Sequence, residues 1–304
     1  MTAAAVLILV LAGRRHEFAA ATSRVTPAVL AIAVLAQIVA LLARSEAWHL
    51  SIREAGGSVG RRVLYRASSM QVLGSVLSGQ LGVAARIAAL RRSSATRRCP
   101  RVSTLIAAEF PILAVEATLA GLASFTLIAP LGVPWWSPAI GIAAVVLAAS
   151  GLRRLALRTG HALWRGLAVL RTQRGGGRMV AFVLVAVLSQ VARNWLLLNA
   201  VGMRASFLDA VAVLIAVVAL AQLPVGPSVG AAAAVLILGT HGVAGAAAAG
   251  VLMTVTGTVG GICFAAWAGA DRVVSAARHA RAGRASAHRV AVLAPVPAVT
   301  RREF

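Results

Sequence analysis

The sequence predicts an all-α, polytopic helical membrane protein of about eight spans, with one or two segments broken or re-entrant. Three observations carry that reading. Hydrophobic residues make up 60% of the 304 and charged ones only 12%, with a mean hydropathy of +0.86, too apolar for a soluble domain with a polar surface. The apolar residues gather in runs that approach the ~20 a helix needs to cross the hydrocarbon core. The arginines lie between those runs, the distribution that orients spans in a bilayer.

The net charge is +22, and all 30 basic residues are arginine. Their clustering between apolar runs and in a short tail is the footprint of the positive-inside rule, not of a groove-binding surface, so no nucleic-acid partner is expected.

In chain order, Ala3 to Ala12 is a short apolar run. It is read as a short first span rather than a signal peptide, because no charged region precedes it. Topology before Pro27 stays open, because Arg14, Arg15 and Arg24 would face outward if that run spans. Pro27 to Ala43 is the next span. Val63 to Ala85 is less apolar and has arginines on both flanks (Arg61, Arg62 and Arg66; Arg86, Arg91 and Arg92). It should therefore enter and leave on one side, as a re-entrant hairpin.

Val102 to Pro130 and Trp135 to Leu152 are joined by the uncharged Leu131 to Pro134, with Trp135 and Trp136 as an outer interfacial anchor or as plain packing. Met179 to Ala200, Phe207 to Leu223, the short Val225 to Gly239 and Ala244 to Ala270 complete the set. Arg153 to Arg178 carries seven arginines and the chain from Arg272 onward another seven. These connections, and the C-terminus, are placed in the cytoplasm. The division expected is a transmembrane domain over 1–271 and a basic, disordered tail over 272–304.

Two breaks organise the polar chemistry. Pro224, Gly226, Pro227 and Gly230 interrupt an apolar stretch, and Gly79 and Gly82 interrupt another with a similar cadence. A broken helix in hydrocarbon must give its freed backbone groups to protein or to a wet cavity, and paired breaks in two halves point to a site between repeats. Glu109 and Glu116, seven apart, share a helical face, as do Gln190, Arg193 and Asn194. If both spans start at the cytoplasmic surface, Glu116 and Arg193 lie at equal depth, roughly 21 Å in. They are expected to pair or to line one polar cavity, unless Arg193 snorkels outward and Glu116 is neutral.

The remaining chemistry is sparse. Cys99 and Cys263 lie far apart, the six histidines are scattered without metal-ligand spacing, and there is no phosphate-binding loop or nucleophile elbow. No enzyme activity, cofactor or metal is expected.

The chain resembles the flippase-like transmembrane family that forms the membrane half of lysylphosphatidylglycerol synthases and also occurs as stand-alone proteins. The resemblance rests on Trp48, Leu50 and Gly56, on Gly79-Gln80-Leu81-Gly82 with Arg86, on Glu109, and on Leu223-Pro224 to Gly230 followed by Gly242 and Ala244 to Gly250. It covers most of Pro27 to Asp271. Ser78 stands where the family often has proline, and Val83 and Ala231 to Ala234 stand where it has acids. The resemblance implies a protein of the cell membrane that binds a lipid or lipid-linked envelope precursor and could translocate it. Gly79, Gly82, Arg86, Glu109, Glu116, Gln190, Arg193, Asn194, Pro224, Gly226 and Gly230 would then line the path. Because the family's acids are missing here, the alternative is a non-transporting scaffold that partners a glycosyltransferase or another envelope-biosynthesis enzyme.

Overall fold

The computed structural model describes residues 13, 15–75, 79–93, 101–159, 173–221 and 229–293, and among them there are helices and turns but no strand. Helix α1 (Arg15–Ser23) leads into α2 (Pro27–Glu54). The start of α2 is written locally: Thr26 caps it by accepting from the Val29 amide at 3.4 Å, and Pro27 occupies the first turn, where no amide is needed. Its end is equally local. Gly56, at φ +85°, donates to Arg53 and Gly57 donates to Ile52, closing the helix in a Schellman turn that only a residue tolerant of positive φ favours.

Helices α3 (Arg61–Ser75) and α4 (Gly79–Ser93) follow as a packed pair. Then come α5 (Val102–Ala107) and α6 (Phe110–Ala123), separated by a turn at Ala108 and Glu109, and the short α7 (Ile128–Leu131). Gly132, at φ +61°, ends α7 and turns the chain into α8 (Ser137–Thr159). Helix α9 (Gln173–Ala200) lies along α2 in the most extensive helix-to-helix contact among the described residues. Helix α10 (Phe207–Leu220) opens on a capping box in which Ser206 and Asp209 satisfy each other's backbone amides. Helices α11 (Val229–Leu238) and α12 (Val243–Leu293) end the described chain.

Among the described residues, four stretches are long and apolar enough to cross a membrane: Pro27–Glu54, Val102–Leu127, Gly175–Ala200 and Val243–Ser275. The structure is thus an all-helical membrane-protein fold. The other expected spans are not all of that length. Helices α10 and α11 have 14 and 10 residues, shorter than one crossing, and Ala3 to Ala12 lies outside the described residues. Basic chain beyond Asp271 continues α12 to Leu293. Residues 294–304 lie outside the described set.

Two apolar clusters hold the bundle, and α2 contributes to both. One gathers Ala33 of α2 with Val191, Leu197 and Leu198 of α9 and with α10 to α12. The other gathers Ala47, Trp48 and Ile52 of α2 with Met179 and Val183 of α9 and with Leu64, Leu90 and Leu105. Early α2 thus meets late α9, and late α2 meets early α9, so the two helices run antiparallel. On α2 the polar residues Gln37, Arg44 and Ser45 fall between the side chains given to the two clusters.

Candidate functional site

The polar residues of the interior sit on α2 and on the helices around it. Arg86 of α4 is almost wholly buried, at 1% exposure. Its guanidinium lies 3.8 Å over the Trp48 ring and forms an ion pair with Glu109. A desolvated cation over an indole face is among the stronger pairings of this type. One helical stretch along, Glu116 takes a fork from Arg44, with Nη1 at 2.6 Å from Oε1 and Nη2 at 3.1 Å from Oε2. The seven-residue spacing of Glu109 and Glu116 therefore puts each carboxylate against an arginine.

The expected Glu116–Arg193 pair does not form. Arg193 Nη1 donates to Gln37 Oε1 of α2, and its Nη2 donates to Asn194 Oδ1 at 3.3 Å. The reason is lateral placement. Equal depth sets the height of two side chains but not which helices are neighbours, and α2 packs against α9 and offers Gln37 where Glu116 was expected. Arg193 is 9% exposed, no carboxylate among the described residues pairs with it, and its Nε has no partner there. Helix α12 closes over this group with glycines. A Cβ on Gly257 would stand 3.3 Å from Arg193 Nη1, and one on Gly260 would strike Gln37. Asn194 is buried and Gln190, one turn earlier, is half-buried.

The glycines of the two breaks meet helices. A Cβ on Gly82 would lie 2.8 Å from the Gln71 carbonyl oxygen and 3.0 Å from Ser75 Cβ, so Gly82 lets α4 close onto α3. A Cβ on Gly230 would lie 2.7 Å from the Gly250 carbonyl oxygen and from Thr254 Oγ1, so Gly230 lets α11 close onto α12. This is the small-residue packing of membrane helices. Gly79 starts α4, whereas Pro224 and Gly226 lie outside the described residues.

Between α2, the α3–α4 pair and α12 is a cavity of about 90 Å³. One water needs ~10–15 Å³ of such space. Arg44, Ser45, Ser68, Gln71, Ser75 and Arg86 give it a polar wall, while Leu41, Val72 and Phe264 give it an apolar one. Ser68 Oγ is buried and without a hydrogen-bond partner among the described residues. The α3–α4 pair is latched in place below. Arg66 donates to Asp271 Oδ2 at 2.7 Å, to the Asp271 carbonyl at 3.0 Å and to Ser275 Oγ at 2.9 Å. Tyr65 donates to Glu46, which also pairs with Arg61 at 3.3 Å, and the Tyr65 ring meets Trp267 edge to face at 5.8 Å.

Sequence reasoning chose Arg86 and Glu109 but missed Arg44, Gln37, Ser68 and Gln71. Arg44 reads in the sequence as part of the basic flank before Val63–Ala85, whereas the structure places it within the 28-residue helix α2. Among the described residues no group of three histidine, cysteine or acidic side chains could hold a metal ion. Comparison with protein families, with curated proteins and with solved structures gives no match.

Proposed function

We propose that this is a multi-pass protein of the cell membrane that binds and translocates a lipid or lipid-linked envelope precursor. The observation that carries the reading is the two-faced cavity between α2, α3, α4 and α12, with polar side chains on one wall and Leu41, Val72 and Phe264 on the other. Within a bundle of apolar helices, polar groups of this kind are costly and mark a ligand path. Gln37 lies seven residues from Arg44 on α2, on nearly the same face and ~10 Å away. The Arg193, Asn194 and Gln37 cluster is therefore the next polar station along that helix.

In this reading α3 and α4, of 15 residues each, form the re-entrant hairpin, since ~22 Å of helix falls short of a crossing. With α8, α10 and α11 counted as one crossing each, the four long apolar stretches make seven, and Ala3 to Ala12, outside the described residues, is the eighth of the expected set. The arginine-rich connections and the C-terminus face the cytoplasm.

The test is reconstitution into vesicles with a headgroup-labelled fluorescent lipid, with outer-leaflet label destroyed chemically. Wild-type protein should expose the inner-leaflet label at a rate that Arg193→Gln reduces at least tenfold. A rate equal to protein-free vesicles, for every lipid tried, would favour a second reading. In that reading the protein is a non-transporting scaffold for an envelope enzyme. The neutralisation of Arg44 by Glu116 and of Arg86 by Glu109 is the observation on its side, because paired charges also serve to lock helices together.

A further inference from the structure

The cavity wall has a sign. Arg44 and Arg86 both line it, and neither Glu109 nor Glu116 does. The carboxylates neutralise the arginines from outside the lining, and every polar side chain in it carries a hydrogen-bond donor, of which Ser45 and Ser75 give theirs to their own helices. Ser68 is 5% exposed, and its hydroxyl has no partner among the described residues. Arg86 keeps its Nε unpartnered there as well, and Gln71 adds an amide. A buried donor left unsatisfied is costly, and two such donors on one small cavity call for an acceptor.

We infer that the cavity is a binding site for a phosphoryl oxyanion, held by Arg44, Arg86, Ser68 and Gln71. This rests on the reading of the cavity as a headgroup site and names its ligand class. A tetrahedral oxyanion offers acceptors in several directions at once, which suits donors arriving from three helices, and arginine is the side chain best matched to it. A cationic headgroup would face two arginines with no acid in the lining. The apolar wall at Leu41, Val72 and Phe264 leaves room for the first carbons of an attached chain, so a phospholipid or a lipid-linked phosphate is the expected source. A free phosphate monoester is the other source of the same chemistry.

The experiment is native mass spectrometry of the full chain in detergent, titrated separately with phosphatidic acid, diacylglycerol, a cationic lipid and glycerol phosphate. Ser68→Ala and Gln71→Ala are compared with wild type, since each removes a donor without removing a charge. Elution volume and thermal midpoint serve as folding controls. The expected result is retention of phosphatidic acid at least tenfold above diacylglycerol and the cationic lipid, with a loss of about fivefold to tenfold in each variant. Equal retention of phosphatidic acid and diacylglycerol, unchanged in the variants, would overturn the oxyanion site and leave the lipid reading standing. Glycerol phosphate bound as tightly as phosphatidic acid and weakened by the same variants would uphold the site and overturn the lipid reading. No ligand retained by well-folded protein would overturn both.

Discussion

The Arg86–Glu109 pair gives the sharpest test of the packing. Its two side chains are 2% and 14% exposed, so water does little to replace either partner. Removing one side of a buried pair leaves an uncompensated charge and costs ~3–5 kcal/mol, against ~0.2–1 kcal/mol for an exposed pair. Glu109→Gln strands the guanidinium over Trp48 and should cost the full amount, about 3–5 kcal/mol. Arg86→Met should cost less, because the abandoned carboxyl can take up a proton instead of staying charged. The double variant removes both charges and fills the site with apolar volume, so it should lie within ~1–2 kcal/mol of wild type. The assay is reversible unfolding by dodecyl sulfate titration in mixed micelles, read as a double-mutant cycle. The expected coupling is at least ~2 kcal/mol. Additive single variants, or a Glu109→Gln protein within about 0.5 kcal/mol of wild type, would refute the buried pair.

Three further outcomes follow from the geometry. Gly230→Ala puts a methyl 2.7 Å from the Gly250 carbonyl oxygen, where ordinary contact begins at 3.4 Å. It should destabilise by ~1–3 kcal/mol, whereas Gly269→Ala, with nothing within 4 Å, should not, in the same titration. Gln37→Glu supplies a counter-charge that no described residue gives Arg193 and should raise the thermal midpoint, while Gln37→Leu removes its acceptor and should cost ~1–3 kcal/mol. Asp271→Asn weakens the half-buried latch to Arg66. The loss should be no more than ~1 kcal/mol and should shrink when salt is raised to about 0.5 M.

How much was legible can be judged residue by residue. The starts at Pro27 and Phe207 were legible, and Thr26 and the Ser206-Asp209 box are the local reason, because capping is a contest among groups only a few residues apart. Glu109 and Glu116 were legible as one face for the same reason. The partner of Glu116 was not. Depth counted from a helix end says how high a side chain sits, whereas its neighbour depends on which helix stands beside it and how that helix is rotated. The glycine cadence was legible as a departure from ordinary helix, but whether Gly82 and Gly230 admit a ligand or another backbone depends on what the third dimension brings against them.

By itself the sequence determined the class of structure. In hydrocarbon each backbone amide must find a partner, and a long apolar run finds one most simply along its own helix, so apolar runs flanked by arginine point to helices before any neighbour is chosen. Only the tertiary structure decided the pairings: Arg44 with Glu116, Arg86 with Glu109 and Trp48, and Arg193 with Gln37. It also decided the one-signed cavity beside them. Those are contacts between helices distant along the chain, fixed by helix order and rotation, which local periodicity does not encode.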